Sequence, residues 1–353
     1  MIGEIKCLIL MVTRDCNLRC RYCYACGGER KDYMTWETAR RAVDYVAARS
    51  RSFKVQFSGG EPLLNFSLVR RVIEYLGSHQ GVTFQLQTNG TLINGALARE
   101  LKGLRIGLGV SLDGPPAVND YLRPFPGGSG STMAVIRGLQ SLAAEGVKVG
   151  LTAVLTAESV RSLPRLVELV SYLGNVHGIS LDLLRPLGRG AGVAPPEPAQ
   201  LERAVLAALE RAEELARLGG PRVGFREAER LKRLLAQGRV KDHYCFAVSG
   251  QSMAVLPDGS VYPCASLSGV EDFLLGHIAD PGFSLAGSFR AARWFKQRLS
   301  LPSKCGNCPH SGFCGGGCFA RAYAYHGRVD RPYEGDCRLK QIIWQWARPA
   351  KEI

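Results

Sequence analysis

The chain lacks any long hydrophobic run. Its first apolar segment, residues 7–12, is far shorter than the roughly 20 residues that span a bilayer, and no secretory signal precedes it. It also lacks an arginine-rich run, a nucleic-acid-binding module, internal repeats and low-complexity tracts. These absences exclude a membrane-spanning protein and weigh against a nucleic-acid binder. We therefore expect a cytoplasmic protein with neither membrane nor nucleic-acid partners.

Cysteine, in contrast, is plentiful, with 12 residues in a chain of 353. Secreted disulfide scaffolds are short, whereas this chain is long enough for one large core and a smaller unit. In a reducing cytoplasm, metal clusters are the expected use of so many thiols. The formal charge is +14. This count treats every thiol as neutral, so thiolates bound to metal would lower it, and we interpret the remaining positive charge as a solvated basic surface.

The first cysteine group has the spacing Cys-x3-Cys-x2-Cys, formed by Cys16, Cys20 and Cys23. Three thiolates can hold one iron–sulfur cube and leave its fourth iron without a protein ligand. An open iron on a redox-active cluster can bind and reduce a cofactor or a substrate. The alternative is a zinc site, but such sites usually close with four ligands, and no fourth Cys or His stands at matching spacing. Cys26 lies close and is interpreted as a spectator.

The first half of the chain alternates apolar segments with amphipathic ones. Strands are predicted over residues 5–12, 54–58, 82–88, 105–111, 147–155 and 179–184, and helices over 36–48, 66–78, 94–101, 132–144 and 163–173. This order predicts an α/β fold with a parallel sheet covered by helices. The pattern permits either a doubly wound sheet or a barrel, and in both the ligands gather beyond the carboxyl ends of the strands.

The loops that end the first four predicted strands are polar or rich in glycine. The first is the cysteine loop, and the others contain Gly59-Gly60-Glu61-Pro62, Gln87-Thr88-Asn89-Gly90 and Ser111-Leu112-Asp113-Gly114. Each alone is compatible with ordinary turn chemistry. Four such loops at one rim of a sheet are hard to explain by turns alone, so we predict a ligand site there.

The segment 16–23 resembles the signature of radical S-adenosylmethionine enzymes, in which an aromatic residue, here Tyr22, precedes the third cysteine. The resemblance implies a partial (β/α)6 barrel and a [4Fe–4S] cluster on Cys16, Cys20 and Cys23. It further implies that S-adenosyl-L-methionine binds the open iron and is cleaved reductively to a 5′-deoxyadenosyl radical, which takes a hydrogen atom from the substrate.

The same resemblance assigns cofactor contacts at the other loops. The segment Gly59-Gly60-Glu61-Pro62 is implied to hold the amino group of the methionine part. Asn89 and Ser111 are expected to contact its ribose or methionine part. Arg123 is a candidate partner for its carboxylate, because the planar guanidinium fork suits carboxylates, with a surface arginine as the alternative.

A second cysteine group lies in the last third of the chain. It runs as Cys245, Cys264, Cys305, Cys308, Cys314, Cys318 and Cys337. With Gly259 this string resembles the SPASM domain, an auxiliary-cluster module. The resemblance implies one [4Fe–4S] cluster on Cys245, Cys264 and Cys318, and another on Cys305, Cys308, Cys314 and Cys337. The first of these has no fourth cysteine, so we expect it to be open at one iron or closed by another group.

These patterns predict three units along the chain. The radical S-adenosylmethionine barrel is predicted over residues 1–185, and a linker with a bridging helix at 199–218 over residues 186–240. The SPASM domain with two auxiliary clusters is predicted over residues 241–353. Within it we expect a hairpin at 253–262 and a packing helix at 339–347. Cys7 and Cys26 are interpreted as small buried residues.

The strings around Gly59–Pro62 and Ser111–Gly114 resemble the branch that matures peptides and sulfatases. Sulfatase-maturing relatives typically carry Asp after the cysteine that matches Cys264, whereas this chain has Ala265. We therefore predict hydrogen abstraction from a ribosomal peptide and formation of a thioether or another crosslink. Sulfatase maturation and small-molecule or tetrapyrrole tailoring are the alternatives, and a non-catalytic electron-transfer protein is a different class.

The resemblance also implies partners. We expect a peptide or protein substrate and a flavodoxin- or ferredoxin-type electron donor. About four residues precede the first predicted strand, so a leader peptide is expected to bind elsewhere on the chain or on a separate protein. Tyr244, Asp182 and Glu227 are noted as residues that could line a cavity.

Overall fold

The computed structural model describes residues 4–241, 243–298 and 303–347. Within these ranges ten strands form one sheet in the order β10-β9-β8-β1-β2-β3-β4-β5-β6-β7. The strands are β1 Cys7–Thr13, β2 Phe53–Gly59, β3 Val82–Thr88, β4 Gly107–Ser111, β5 Val149–Leu155, β6 Val176–Leu183, β7 Gly224–Phe225, β8 Ser252–Val255, β9 Ser260–Tyr262 and β10 Gly276–His277. Neighbours from β8 through β1 to β7 are parallel, and the pairs β8–β9 and β9–β10 are antiparallel.

Helices connect the parallel strands and cover the sheet. In the described part of the chain they are α1 Trp36–Ala47, α2 Phe66–Leu76, α3 Gly95–Gly103, α4 Pro116–Leu122, α5 Thr132–Ala144, α6 Leu163–Leu173, α7 Pro198–Arg217, α8 Arg226–Ala236, α9 Leu285–Ala291, α10 Arg293–Arg298, α11 Ser311–Cys314, α12 Phe319–His326 and α13 Glu334–Ala347. The alternation of β1–β6 with helices is the expected α/β fold, a parallel sheet covered by helices, and a cysteine-rich part follows it.

Burial along the strands separates two faces. In β5 the residues Val149, Leu151 and Leu155 are buried, whereas Gly150 and Thr152 are half-buried. The buried set belongs to the main core under the helices, and the alternate set lines cavities on the other face. This period of two follows from the pleat of a strand. The inner face is therefore where ligands have room.

Most predicted elements are present, and their ends differ for local reasons. Helix α2 stops at Leu76, before Gly77, rather than at residue 78. Strand β4 begins at Gly107 rather than residue 105, because Arg105 has a φ of 50° and leaves the extended region. Strand β6 begins at Val176, three residues before the predicted start. The helix predicted at 199–218 is α7.

The C-terminal part joins the sheet through β8, which pairs with β1 in register from Cys7↔Ser252 to Leu10↔Val255. The predicted hairpin is β8–β9, and Gly259 takes a φ of 90° in its turn. The predicted C-terminal packing helix is the longer α13. The three-unit division stays a prediction, and residues 1–3 and 348–353 at its ends lie outside the described residues.

Among the described residues, no helix is both long and apolar enough to cross a membrane.

Candidate active site

The cysteine loop connects β1 to α1 and is fixed by hydrogen bonds rather than by regular structure. The Arg19 guanidinium donates to the carbonyl oxygens of Cys16 (2.8 Å), Leu18 (3.0 Å) and Gly28 (2.8 Å), which closes the loop on itself. The Thr13 hydroxyl donates to the Asp32 carbonyl oxygen at 2.8 Å. These bonds hold the backbone so that the three cysteines are presented from one short segment.

Cys16, Cys20 and Cys23 line one cavity of about 340 Å³ at the carboxyl ends of the strands. The predicted cofactor contacts that also line it are Tyr22, Gly59, Gly60, Asn89, Ser111 and Arg123. The structure therefore brings six predicted residues from four separate loops to the cysteines. Glu61 and Pro62 are not among the lining residues and have other positions.

Gly59 and Gly60 let the second loop approach the cysteine loop closely. Gly59 has a φ of 139°, and a Cβ on Gly60 would lie 2.1 Å from the carbonyl oxygen of Asp15. The Gly60 amide donates to the Thr13 carbonyl oxygen at 2.7 Å, and the Glu61 amide donates to the Asp15 carbonyl oxygen at 2.8 Å. Any side chain at Gly60 would push the two loops apart.

Glu61 is fully buried and acts on other loops. Its carboxylate accepts hydrogen bonds from the Thr88 hydroxyl (2.6 Å), the backbone amide of Asn89 (2.8 Å) and the backbone amide of Leu63 (3.1 Å). Burial raises the pKa of Glu61, and these donors act against the rise. Pro62 begins a short 3₁₀ helix at Pro62–Asn65. Glu61 thus fixes where Asn89 stands, a positioning role that the motif alone did not reveal.

Asn89 joins the third loop to the cysteine loop. Its side-chain amide donates to the side-chain oxygen of Asn17 at 2.8 Å and lies 4.0 Å from Cys16 Sγ. Its side-chain oxygen accepts from the Thr91 hydroxyl at 2.7 Å. The amide therefore reaches the edge of the cysteine-lined cavity with its orientation fixed on both sides.

Tyr22, Asp113 and Arg123 form a buried chain of hydrogen bonds. The Tyr22 hydroxyl donates to Asp113 Oδ2 at 2.5 Å and accepts from Arg123 Nη1 at 2.5 Å. Burial raises the pKa of Tyr22 well above its usual value, so its hydroxyl stays a neutral donor. Arg123 is only 6% exposed, so the alternative of a surface arginine is wrong.

Two arginines in the cavity keep an unused donor. Within the part of the chain that the structure describes, the Nε atoms of Arg123 and Arg185 are buried and have no hydrogen-bond partner. Buried donors without a partner are costly, and an arginine fork suits a carboxylate. The cavity therefore fits a ligand with a carboxylate group.

The thiols of the cysteine loop also fit a metal cluster. Backbone amides approach two of the sulfurs, from Leu18 to Cys16 Sγ at 3.4 Å and from Gly27 to Cys23 Sγ at 3.3 Å. Burial raises the pKa of Cys16 to about 12 and that of Cys20 to about 11. Thiolates at such positions need positive charge beside them, which iron supplies.

A mononuclear site has a different geometry. Zinc gathers four donors around one point. Across the described ranges, no three Cys, His, Asp or Glu side chains converge closely enough to hold a single ion. A cube, in contrast, takes each thiolate on a different iron and needs the sulfurs spread apart.

The seven C-terminal cysteines fall into two spatial groups. Burial and then the neighbouring Cys318 and Cys264 raise the pKa of Cys245 to about 12. Burial and then neighbours that include Cys314, Cys305 and Cys308 raise the pKa of Cys337 to about 12. The structure thus brings Cys245, Cys264 and Cys318 together, and Cys305, Cys308, Cys314 and Cys337 together. The assignment of each group to one cluster stays a prediction.

The backbone around these groups has special geometry. Gly315, Gly316 and Gly317 all have positive φ, at 67°, 87° and 74°. A Cβ on Gly315 would lie 2.4 Å from the backbone of His243. Arg298 is buried and donates to the carbonyl oxygens of Gly316 and Gly317. The chain can therefore wrap tightly between Cys314 and Cys318 only with glycine there.

One C-terminal cysteine, Cys264, lies in the wall of the cavity that the three N-terminal cysteines line. Cys264, Ala265 and Ser266 line it together with the N-terminal cysteines. The Ser266 amide approaches Cys264 Sγ at 3.4 Å. A ligand in this cavity would therefore contact both the barrel and the C-terminal part.

A buried charge network also reaches the cavity wall. Asp182 accepts from Arg185 at 2.7 and 3.0 Å and from Arg321 at 2.9 Å. Burial opposes its charge, but these two arginines outweigh the effect and hold the pKa of Asp182 below its usual value. Arg321 also donates to Asp336 and to the Tyr244 hydroxyl.

Sequence reasoning missed several cavity residues. Tyr24, Arg185 and Arg189 line the cysteine cavity, and Arg189 donates to the Cys20 carbonyl oxygen at 3.0 Å. The position of Arg185, just beyond the end of β6, was a signal that could have found it. Tyr244, Asp182 and Glu227, noted from sequence, all line a neighbouring cavity next to Cys245 and Cys314.

Comparison with protein families gives two matches. Residues 10–170 match the family model described as "Radical SAM superfamily". Residues 245–309 match SPASM, described as "Iron-sulfur cluster-binding domain".

Two relatives and one solved structure illustrate the likeness. An "Uncharacterized protein MJ0907" from Methanocaldococcus jannaschii is 37% identical over 79% of this chain and 91% of the relative. A "Mycofactocin maturase MftC" from Mycobacterium ulcerans is 30% identical over 92% of this chain and 86% of the relative. The structure described as "Native anSMEcpe with bound AdoMet and Cp18Cys peptide" has a TM-score of 0.80 at 22% identity, covering 98% of this chain and 97% of that one.

Proposed function

We propose that this chain, which belongs to the radical SAM superfamily and carries a SPASM domain, modifies a peptide by abstracting a hydrogen atom and forming a thioether or another crosslink. As a radical SAM enzyme it uses S-adenosyl-L-methionine and a [4Fe–4S] cluster, and its SPASM domain binds auxiliary iron–sulfur clusters. Bound together, the first cluster and S-adenosyl-L-methionine supply a 5′-deoxyadenosyl radical as the hydrogen acceptor.

We assign the cluster ligands from the spatial groups of cysteines. Cys16, Cys20 and Cys23 hold the first cluster. Cys245, Cys264 and Cys318 hold one auxiliary cluster, and the remaining set of Cys305, Cys308, Cys314 and Cys337 holds the other. The burial of these thiols, and the neighbouring thiols that raise the pKa of Cys245, Cys264 and Cys337, support this assignment.

The chain's own residues then position the cofactor. Arg123 receives the methionine carboxylate, with its unused Nε as the additional donor, while Tyr22 and Asp113 keep the guanidinium in place. Asn89 and Ser111 contact the ribose or methionine part. Glu61 holds the Asn89 backbone, and Gly60 allows the loop to lie against the cysteine loop. Closely fitted loops of this kind also exclude water from the reacting centre.

The observation that carries the proposal is the shared cavity. Crosslink formation removes two hydrogens from the peptide: one leaves as a hydrogen atom, and the other leaves as a proton and an electron. Cys264 stands in the wall of the cavity that also contains Cys16, Cys20 and Cys23. An auxiliary cluster at this wall is well placed as the acceptor of that electron. The kinship to a protein named as a maturase supports a peptide as the substrate.

Sulfatase maturation is the alternative. The residue after Cys264 is Ala265, which lines the cavity and carries no base. Asp182 also lines it, but two arginines already occupy its oxygens and keep it ionised, which makes it a weak proton acceptor. These contacts favour crosslinking over formylglycine formation.

The proposal is tested with reduced holoenzyme, S-adenosyl-L-methionine and a peptide encoded beside its gene. We expect 5′-deoxyadenosine and a peptide lighter by two hydrogens. Formylglycine in a Cys-x-Pro-x-Arg peptide would favour sulfatase maturation. Cofactor cleavage with no change in any candidate peptide, and with a tetrapyrrole modified instead, would favour small-molecule tailoring.

We further propose that a flavodoxin- or ferredoxin-type protein reduces the enzyme. A leader peptide binds another part of this chain or a separate protein. Pull-down of the reduced enzyme with candidate donors, followed by 5′-deoxyadenosine formation without chemical reductant, tests the first of these partners.

A further inference from the structure

A row of glycines crosses four neighbouring strands at one level of the barrel. Gly109 of β4 pairs with Gly150 of β5, Gly150 pairs with Gly178 of β6, and Gly178 pairs with Gly224 of β7. We call these four residues the glycine belt. Glycine weakens strands because it has no side chain to pack, so four in register need a reason.

The belt lies near the amino ends of its strands and faces the inside of the barrel. Gly150 and Gly178 are half-buried, whereas their strand neighbours Val149 and Ile179 are buried under the helices. In closed (β/α) barrels, layers of branched side chains fill the interior at such levels. Here all four belt glycines line a cavity of about 630 Å³ instead.

This cavity adjoins the cysteine-lined one. Thr152 and Gln87 line both, and Thr152 is two residues from Gly150 along β5. The two cavities therefore meet at Gln87 and Thr152, with the cysteines at the carboxyl ends of the strands on one side and the glycine belt at their amino ends on the other.

The outer end of the belt cavity is cationic. Lys148, Arg226 and Arg233 line it and are exposed, and within the described residues none of the three forms an ion pair with a carboxylate. Lys54 also lines it and donates to Gln56 and Gln85 at 3.2 and 3.0 Å. Glu229 is the acidic lining residue and accepts from Arg222 at 3.4 Å. Cations thus outnumber carboxylates at this mouth.

We propose that the glycine belt keeps its cavity open at the amino ends of the strands, and that an extended segment of the peptide substrate with acidic side chains occupies this cavity while another residue of the same peptide passes Gln87 and Thr152 to reach the cysteine-lined cavity. This inference rests on the proposed function. Glycine at 150 and 178 removes side chains that would obstruct a peptide backbone, whereas at Gly109 the Gln87 amide already fills the place of a side chain. The cationic mouth selects carboxylates by charge complementarity.

The test uses substitutions that fill part of the belt cavity and leave the cofactor loops unchanged. A Cβ on Gly150 would meet only the Leu108 carbonyl oxygen, at 3.8 Å, so Gly150→Ala and Gly150→Leu can be accommodated by the strand and extend into the cavity. Gly103, at the end of α3, has nothing within 4 Å of its added Cβ and serves as the matched control, Gly103→Ala.

The probe is a fluorescein-labelled peptide of alternating glutamate and glycine, with a lysine–glycine peptide of equal length for comparison. Binding to holoenzyme with S-adenosyl-L-methionine is followed by fluorescence anisotropy. We expect tighter binding of the acidic peptide, a loss of about tenfold in Gly150→Leu, a smaller loss in Gly150→Ala and none in Gly103→Ala. The double variant Arg226→Gln/Arg233→Gln should lose about tenfold and show weaker salt dependence.

Each result decides the inference. Peptide-free formation of 5′-deoxyadenosine should be unchanged in all variants and shows that the cofactor site is intact. If Gly150→Leu does not fold, Gly150→Ala decides in its place. Three results would overturn the proposed peptide site: unchanged binding in the belt variant that folds, preference for the lysine peptide, or tighter binding of a single-stranded oligonucleotide. An acidic peptide that binds through the belt while no peptide is ever modified would overturn the proposed function instead.

Discussion

The two cysteine regions of the molecule are constructed in opposite ways. Cys16, Cys20 and Cys23 come from one short loop and open onto a cavity. The seven C-terminal cysteines, from Cys245 to Cys337, come from separated segments, and Cys305, Cys314 and Cys318 among them are buried. A local loop can present an incomplete set of ligands to a ligand cavity. Enclosing a cluster requires tertiary convergence of distant segments.

The surroundings of the two regions differ as well. Small loop contacts fix the N-terminal set, with Arg19 binding three carbonyl oxygens. A buried ionic network fixes the C-terminal set, because Arg321 joins Asp182 of β6 to Asp336 of α13, and Asp336 accepts from the Cys318 amide at 3.1 Å. We therefore expect mutations in the first region to affect chemistry and mutations in the second to affect both electron transfer and stability.

The largest effect is expected from Cys20→Ala. Removing one of three ligands should abolish reductive cleavage of S-adenosyl-L-methionine, a fall of more than about 10³-fold in 5′-deoxyadenosine formation. Iron analysis of anaerobic protein should fall from about twelve to about eight irons, because the auxiliary clusters remain. Retention of cleavage in this variant would contradict the separate roles of the two regions.

Cys318→Ala is the matched change in the other region. We expect peptide-free cleavage of S-adenosyl-L-methionine to persist while peptide product is lost, because the electron acceptor at the cavity wall is damaged. Product and 5′-deoxyadenosine are measured in the same reaction. Equal loss of both would mean that the regions do not act separately.

Stability should depend most on the link between the regions. Arg321→Ala leaves the buried carboxylate of Asp336 and the half-buried carboxylate of Asp182 without their shared cation and should cost about 3–5 kcal/mol in free energy of unfolding. Denaturant unfolding of the holoenzyme measures it. Arg338→Ala, which breaks the half-buried pair with Glu202, is the control and should cost about 1 kcal/mol or less.

The same link predicts a dependence on acid. The pKa of Asp182 is lower in the folded than in the unfolded chain, so its contribution is present above the unfolded value of about 4 and is lost as pH falls through the folded value. Unfolding followed between neutral pH and about pH 3 should show a steeper loss in the native protein than in Asp182→Asn. If stability fell equally with pH in the native protein and in Asp182→Asn, Asp182 would not contribute to the acid dependence.

A smaller effect is expected from Arg298→Gln. This buried cation lies near cysteines of both auxiliary groups, and its Nη1 atom has no hydrogen-bond partner among the described residues. Loss of a positive charge stabilises the more oxidised, more positive cluster state, so the auxiliary reduction potentials should fall. Redox titration followed by electron paramagnetic resonance measures them, and potentials unchanged or raised would contradict this role.

The smallest effect is expected from Cys26→Ser. Cys26 is adjacent to the cysteine loop motif, in a turn with a φ of 49°, and is half-buried rather than buried as predicted. Among the described residues it does not line the cavity of Cys16, Cys20 and Cys23. Iron content and 5′-deoxyadenosine formation should match the native enzyme, whereas Cys23→Ala should lose the first cluster. A loss of iron in Cys26→Ser would show a fourth protein ligand in the loop.

The elements that the sequence predicts well are those defined by a local pattern, and the ones it misses depend on distant contacts or have no clear period. Strand β3 and helices α5 and α6 have the predicted bounds, since each is a local pattern with a clear period. The two-residue strand β7 and the helix α8 in the segment 186–240 were not predicted, because the first is too short for a period and the second is rich in charge.

Contacts between distant segments could not be predicted, because no local pattern of residues specifies them. Nothing local in residues 252–255 indicates that β8 pairs with β1. Nothing local around Glu61 indicates that its carboxylate binds the Asn89 backbone. The cysteine spacing did indicate three ligands, because they lie within one loop. The sharing of one cavity by Cys264 and that loop depends on packing between distant segments, which only the structure reveals.

The central claim is that the N-terminal loop leaves one iron for S-adenosyl-L-methionine. The most direct test is electron–nuclear double resonance on the reduced enzyme with cofactor labelled with nitrogen-15 and carbon-13 in its methionine amino and carboxyl groups. The account predicts hyperfine coupling of both labels to the cluster on Cys16, Cys20 and Cys23, lost in Cys20→Ala. Absence of coupling in the native enzyme, with the loop saturated by protein donors or filled with zinc, would contradict it.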